Sequence, residues 1–598
     1  MTALSTPEQS VASWTRPTRF SALIFAAKAA VFRARRGALD IVAGPPRLAR
    51  IADPGLVQVI AESRTPLWSD EALTEQTFQL GKVQNLRVAC RSLEGLALPA
   101  GAVFSLWRHL GPPIRARGYV TGRMLQQGCL TPAVGGGLCQ LSNALYEAAL
   151  KAGCRIVERR PHSRLVPGSA AALGRDATVA WNYVDLRFAS ERPLRLSARL
   201  ERGDLVVRLL GQVTSAPEVS AGLISARETG PPDARSCGSC NEIDCFRHEG
   251  GDRATPAPAS RQVFLVDEAW PELQAYVSQA RQPGDSLGLP LSGGHFGSRY
   301  DWPVDGFSET AGAPTAALLR ALAVRRAGSQ GAARRGAELA AARRIAASLA
   351  RLLTAEVTAV TLAQSYLPFL WLEGHLGGRE VSVLMTRLPM SVLQARLDAA
   401  AAAHPERATL ADFRAPAWLA EAETEALAQA DRIITPHAEI AALFGDRALK
   451  LDWRLPPARP PGARSGRLIA FAGPTVARKG AYAVREAAIA LGLEVMPLGA
   501  ELEGPGFWRG VATVPAGTWD GVAAVVQPAL VEDQPRRLLA ALAAGVPVIA
   551  TPACGLRPQP GLTLVPPDDP AALIAALKRL TRSNVRAYSA ATAGAVSG

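Results

Sequence analysis

From about Arg261 to the C-terminus, short apolar runs alternate with Ala-rich helical stretches, and this alternation limits the fold more than any other feature of the chain. A strand buried on both faces reads as an apolar run and needs a crossover helix to reach a parallel neighbour. Strand–helix alternation therefore predicts doubly wound α/β units. The Pro-rich stretch Arg454–Arg464 interrupts the pattern, and a fresh strand over Leu468–Ala472 begins just after it. Proline supplies no backbone N–H to a sheet or helix, so this stretch reads as a hinge. Two Rossmann-like lobes are predicted, over residues 261–452 and 453–598, an arrangement that holds a ligand in the cleft between them.

The chain has 598 residues, too many for one core. Ahead of the lobes we read a basic leader (1–65), an α+β domain (66–215) and a Pro/Gly-rich linker (216–260). Ala177–Phe188, Leu194–Leu200 and Leu205–Leu210 alternate like strands and predict an antiparallel sheet following a helix. No apolar run approaches the ~20 residues of a membrane span. The apolar stretch Phe20–Phe32 is broken by Lys28, and its basic residues follow it, unlike a signal peptide. The expected location is the cytoplasm, with peripheral contact at the inner membrane.

The formal net charge is +14. No helix-turn-helix, RNP or zinc-finger pattern accompanies it, so nucleic acid is not an expected partner. Two segments carry much of the charge. In the leader, Phe20, Leu23, Ile24, Val31 and Phe32 recur near helical spacing beside Lys28, Arg33, Arg35 and Arg36. That pattern fits either an interfacial helix on an anionic membrane surface or a helix packed on its own domain. The second segment, Ala311–Leu353, holds Arg320, Arg325, Arg326, Arg334, Arg335, Arg343, Arg344 and Arg351 in helix-favouring sequence, with Gly328, Gly331 and Gly336 marking a break. A solvated basic face is the default reading, and contact with a phosphorylated or lipid-linked acceptor the alternative.

In the first domain, Gly135-Gly136-Gly137 precede Leu138-Cys139-Gln140-Leu141-Ser142-Asn143-Ala144-Leu145-Tyr146, placing Cys139 at a helix start. A helix N-terminus lowers a thiol pKa, and glycines let a ligand approach the backbone. A strand, Arg155–Glu158, leads to Pro161-His162-Ser163, and Asp176 follows. Together with Phe104-Ser105-Leu106-Trp107, Arg117-Gly118-Tyr119 and Val184-Asp185-Leu186, these pieces resemble the VanW family, named for a protein of glycopeptide-resistance clusters. The order Cys, His, Asp is similar to that of transglutaminase-like and NlpC/P60-like thiol enzymes. That likeness makes Cys139 a nucleophile, His162 its base and Asp176 the orienting group, with Gln140 or the Cys139 N–H as oxyanion donor. Binding without turnover and a purely structural cysteine are the alternatives.

Cys237, Cys240, Cys245 and His248 follow the spacing C-x2-C-x4-C-x2-H. Four soft or borderline ligands suit zinc or an iron–sulfur cluster, and free thiols or a redox pair remain open. His375 and His437 show no partner in sequence and read as structural.

Leu468 onward gives a strand, a turn at Gly473, Lys479-Gly480 opening a helix and a second strand; Val522–Val526, Glu532 and Gly545-Val546-Pro547-Val548 follow. Glycine and lysine at a helix start favour phosphate. These residues, with Ala426–Phe444 before them, resemble the group 1 (GT4) retaining glycosyltransferases of the GT-B fold, so the expected architecture is an α+β VanW-like domain followed by a GT-B module. The resemblance implies a nucleotide-sugar donor, with Lys479 on the diphosphate and Glu532 on the donor sugar; Arg478, the one Arg nearby, is the candidate to replace the family's missing Arg in donor binding. Two positions depart from the family pattern. Pro474 stands where an Arg is usual, and Ala540 where a second Glu holds the ribose. Leu291–Gly297 adds a Gly-rich loop for the cleft. The expected function is transfer of a sugar to a glycan, lipid-linked or peptide acceptor in surface glycan assembly. The alternative is a degenerate transferase scaffold whose one active site is Cys139.

Overall fold

The computed structural model describes the chain apart from residues 1–16, 51–54, 69–75, 127–128, 163–175, 213–234, 237–244, 247–260, 292–297, 458–463 and 581–598. It divides into two compact units. One is Met1–Arg261 with Thr354–Thr358 and Glu373–Arg379; the other is Gln262–Leu353, Ala359–Leu372 and Glu380–Gly598.

The first unit is α+β. A four-stranded antiparallel sheet runs in the order Gln58–Pro66, Asp204–Gly211, Leu194–Glu201, Leu96–Leu98. A second, three-stranded sheet joins Val103–Ser105, Arg187–Ala189 and Arg155–Glu158, and a hairpin pairs Thr121–Gln126 with Cys129–Val134. Helices Gln76–Leu93 and Leu138–Lys151 supply the other half of the core. Their buried residues recur three or four apart (Val83, Leu86, Cys90 and Leu93; Leu138, Leu141 and Leu145), which puts one apolar stripe of each helix in the core. Each such leucine contributes roughly 1.5–3 kcal/mol by leaving water.

The run Ala177–Phe188 is not one strand. Only its end enters the sheet, as Arg187–Ala189, and an isolated bridge from Ala180 to Val184 closes a turn. Its backbone bonds elsewhere: Ala177 N donates to Asn143 Oδ1 at 2.7 Å and Thr178 N to Arg160 O at 2.8 Å. Side chains of the neighbouring helix replace the missing ladder partners.

The second unit contains two α/β lobes. The first has a seven-stranded sheet ordered Glu309–Gly312, Ser286–Leu289, Arg261–Leu265, Val357–Ala363, Glu380–Leu384, Arg432–Thr435, Ala448–Lys450. In chain order this is 3-2-1-4-5-6-7. The second has five strands ordered Glu494–Pro497, Arg464–Phe471, Gly521–Gln527, Val548–Ala550, Leu562–Leu564, or 2-1-3-4-5, all in parallel register. Both are doubly wound orders, and each has a switch point where strand order reverses, beside which such folds bind ligands. The strands are apolar throughout: Ala524, Val525, Val526, Val548, Ile549 and Ala550 are all buried, as a sheet covered on both faces requires.

The arginine-rich stretch folds as two helices, Pro314–Arg326 and Ala332–Leu349, broken at Gly328 and Gly331, whose φ angles are +84° and +98°. Gly336 lies inside the second helix. The basic face is not uniformly solvated: Arg320 and Arg335 are buried. No described helix is long and apolar enough to cross a membrane.

Candidate functional site

Cys139 sits in the first turn of Leu138–Lys151, half-buried. The intrahelical bonds begin with Gln140 N to Gly137 O at 3.1 Å, so the N–H groups of Leu138 and Cys139 point out of the helix end. The three glycines serve packing. Gly135 and Gly137 have φ of +78° and +96°; a Cβ on Gly136 would lie 2.4 Å from Gly122 C and 2.6 Å from Arg123 N. The close approach is to strand Thr121–Gln126, where the sequence pointed to a ligand. Gln140 is likewise engaged, its Nε2 donating to Thr65 Oγ1 at 3.0 Å and to Pro66 O at 2.8 Å. Of the two groups considered as oxyanion donors, the Gln140 side chain is thus already bonded within the domain.

The structure brings Cys139, His162 and Asp176 together. The Cys139 thiol hydrogen-bonds His162 and also meets the Thr178 side chain and the Val179 backbone. His162 Nδ1 lies 2.8 Å from Asp176 Oδ2, which also accepts the His162 backbone N–H at 2.5 Å. Arg159 Nη2 donates to Asp176 Oδ1 at 2.9 Å and Arg159 Nε to Asp176 O at 2.7 Å. Burial pushes the Cys139 thiol up, but the hydrogen bond and charge of His162 carry it below its ordinary value. Burial lowers His162, yet Asp176 and Cys139 outweigh it and raise the ring to about 9. Asp176, pushed up by burial, is held at about 2 by its bonds to His162. A lowered thiol, a raised imidazole and a depressed carboxyl all shift in the direction that favours charged forms, the direction a nucleophilic cysteine needs.

Two residues that sequence reasoning passed over build this geometry. Ser142 Oγ donates to Ala177 O at 2.5 Å, and Asn143 takes the Ala177 N–H, so one turn of helix beyond Cys139 grips the segment carrying Asp176. Their signal was spacing: i+3 and i+4 from Cys139 share its helix face. Of the four cysteine-cluster residues, Cys237, Cys240 and His248 lie outside the described residues, as do residues 292–297 of the Gly-rich loop. Cys245 is described and is a buried free thiol. His437 is structural: it caps Ala438–Phe444, and its Nε2 lies 3.2 Å from the carbonyls of Glu532 and Ala553.

At the switch point of the five-stranded sheet, strand Arg464–Phe471 runs into Gly473 and the turn Ala477–Lys479. Gly480 (φ +87°) then caps helix Ala481–Leu491. A Cβ on Gly480 would meet Pro528 O at 2.3 Å, so this turn demands glycine. Lys479 Nζ donates to Val531 O at 3.0 Å and pairs with Glu532 Oε2 at 3.0 Å. Glu532 Oε1 accepts the N–H groups of Asp533 (2.9 Å) and Gln534 (2.7 Å), and Gln527 Nε2 donates to Oε2. Arg478 stacks over Phe413 at 5.5 Å, and its Nη1 is buried with no hydrogen-bond partner among the described residues. Burial lowers its pKa despite the nearby acids Asp412 and Asp533.

Facing this loop, the ends of the first lobe's strands enclose a cavity of about 160 Å³ lined by Asp267, Arg320, Arg335, Arg387, Glu423 and Asp533 among others. Arg320 Nη1 bonds Asp267 Oδ1 at 2.8 Å. Arg335 is pushed down to about 10 by burial and by Arg387. Arg387 Nη2 bonds Asp533 Oδ2 at 2.9 Å, and Arg536 Nη1 bonds Glu272 Oε1 at 2.8 Å, so ion pairs span the two lobes. Arg387 and Asp533 left no mark on the sequence, because an ion pair 146 positions apart leaves no local pattern.

Comparison with known proteins finds one family match within each of the two units. Residues 81–210 match the family model described as VanW like protein, and residues 506–583 the model of glycosyl transferases group 1. The uncharacterized protein YoaR of Bacillus subtilis (strain 168) is 32% identical over 127 residues, 21% of this chain and 41% of that protein. The vancomycin B-type resistance protein VanW of Enterococcus faecalis (strain ATCC 700802 / V583) is 30% identical over 144 residues, 24% of this chain and 52% of that protein. The chain thus spans about half the length of these relatives or less. Among solved structures, a sucrose-phosphate synthase from Thermosynechococcus elongatus is matched over 54% of this chain and 90% of its own, at 15% identity and TM-score 0.36. WaaG, a glycosyltransferase involved in lipopolysaccharide biosynthesis, is matched over 55% and 94%, at 13% identity and TM-score 0.32. With scores this low, the GT-B architecture rests on the two strand orders and the group 1 match.

Proposed function

From a chain that joins a VanW like domain to a group 1 glycosyltransferase domain, we propose an enzyme that transfers a sugar from a nucleotide-sugar donor in surface glycan or glycoconjugate assembly. The observation that carries this reading is the buried Nη1 of Arg478, without a hydrogen-bond partner among the described residues, beside Lys479 at the sheet's switch point. A buried N–H that lacks a hydrogen-bond acceptor is stabilised by an arriving anion, and a diphosphate supplies one. In this reading Lys479 leaves Glu532 for the diphosphate and stabilises the charge that builds as the glycosidic bond breaks. Glu532, released, accepts hydrogen bonds from the donor sugar's hydroxyls. The buried Arg320 and Arg335, with the half-buried Arg387, favour a phosphorylated, lipid-linked or peptide-borne acceptor in the cavity opposite. Such an enzyme works in the cytoplasm at the inner membrane.

The VanW like domain adds a second chemistry in this proposal. Cys139 attacks an acyl carbon as thiolate, the oxyanion forms at the helix N-terminus, and the His162 imidazolium protonates the leaving group while Asp176 holds the ring. A second reading makes Cys139 the sole active site and the GT-B module a scaffold. It is favoured by Ala540, which cannot hold a ribose, by Pro474, and by the ion pairs that already occupy Lys479 and Asp533. A scan of UDP-, GDP- and ADP-sugars for thermal stabilisation separates the two. A shift with one donor, lost in Lys479→Ala, supports the transferase; no shift with any donor supports the scaffold.

A further inference from the structure

We infer that helix Arg19–Ala43 is the surface by which this chain docks on an anionic lipid bilayer. One side of the helix is seated on its own unit. Arg36 pairs with Glu158 at 2.5 Å, Asp40 with Arg187 at 2.9 Å, and Phe32 stacks on Tyr183 with ring centres 6.2 Å apart. At 3.6 residues per turn, Arg36 and Asp40 share one arc. The opposite arc carries Phe20, Ile24, Val31 and Val42, with Leu23 and Ile41 beside them. Phe20 is 71% exposed, Val31 66%, and Ile41 and Val42 87% each.

This inverts the usual pattern, in which a helix packed on a domain turns its apolar stripe inward and its charges to water. Here the charges Arg36 and Asp40 face the domain, and among the described residues an apolar stripe some six turns long is left exposed. Lys28 and Arg35 border the stripe on one edge and Arg19 on the other. Across the helix, Arg19, Lys28, Arg33, Arg35 and Arg36 stand against Asp40 alone. An apolar face flanked by cations, on a helix that cannot cross a membrane, fits the boundary between acyl chains and anionic headgroups. A second copy of the chain is a poor occupant, because a symmetric pairing would set the cationic edges against each other.

The inference stands apart from sugar transfer and is tested on the full chain without a donor. Sedimentation is measured with vesicles of phosphatidylcholine alone and with roughly a third phosphatidylglycerol. The anionic vesicles should bind at least about tenfold more protein, since each cation at such a surface adds about fivefold. Binding should fall about tenfold or more in Phe20→Glu/Val31→Glu, and the anionic preference should vanish at high salt. Both positions are exposed, so the double variant should melt with the wild type; a variant that does not is replaced by Lys28→Glu/Arg35→Glu, which should lose the same preference. Absence of binding, equal binding to both vesicles, or equal binding by the variants overturns the inference. So does a concentration-dependent dimer that Phe20→Glu/Val31→Glu abolishes, because the stripe would then belong to a second copy.

Discussion

Replacing Asp176 by Asn keeps the side chain's shape and removes the charge that the Cys139 site is built around. Asp176 Oδ2 holds both the backbone N–H and Nδ1 of His162, and Oδ1 holds Arg159. His162 stands at about 9 against an ordinary 6.5, a preference for the charged ring of roughly 3 kcal/mol. The Cys139 thiolate supplies part of it, and solvent reaches part of the ring, so the share of Asp176 is ~1–2 kcal/mol. The imidazolium is what lowers the Cys139 thiol, so Asp176→Asn should slow its alkylation by iodoacetamide near neutral pH about 5–30-fold and move the midpoint of the rate–pH profile upward. The assay follows the Cys139 peptide by mass spectrometry, which separates it from Cys90, Cys154 and Cys554, whose thiols burial pushes up. A wild-type Cys139 that reacts like an ordinary thiol refutes the reasoning. So does an Asp176→Asn variant that melts normally and alkylates at the wild-type rate.

Three further outcomes follow from the geometry. The folded-state pKa of His162 is raised, so its stabilising share is complete below about 6.5 and is lost as pH rises through 9; that of Asp176 is depressed, so its share is complete above about 4 and is lost as pH falls towards 2. The difference in melting temperature between wild type and Asp176→Asn should therefore be largest between those limits and shrink outside them. Gly136→Ala must move the backbone of Gly122 and Arg123; urea unfolding should show a loss of about 2 kcal/mol or more, and an unchanged midpoint would mean the helix start adjusts freely. Arg387→Ala leaves Asp533, held at about 2 by Arg387 and Lys479 against its burial, without its main partner; both side chains are partly solvated, so the loss should be ~1–2 kcal/mol, and Asp533→Asn should lose less.

The two α/β lobes were legible because a doubly wound sheet writes its strands as apolar runs of Val, Ile and Ala, and a Pro-rich stretch separates them. The order Cys139, His162, Asp176 was legible because a glycine run marks the helix start at Cys139 and a proline stands directly before His162. Ala177–Phe188 misled for the opposite reason: its alternation is real, but Ser142 and Asn143 take its backbone groups and turn it off the sheet. The three glycines misled as well, since a backbone that must accept a neighbouring strand and one that must accept a ligand need the same residue. The inward turn of Arg320 and Arg335 was invisible, because a helix with arginines on several faces has no periodicity to say which of them is buried.

Sugar transfer by the GT-B module is measured by following radiolabel from UDP-, GDP- and ADP-sugars into membrane lipid and protein fractions incubated with the full chain. Incorporation from one donor class is expected, reduced about 100-fold or more in Lys479→Ala. Incorporation from no donor, or equal incorporation by Lys479→Ala, contradicts transfer by this module.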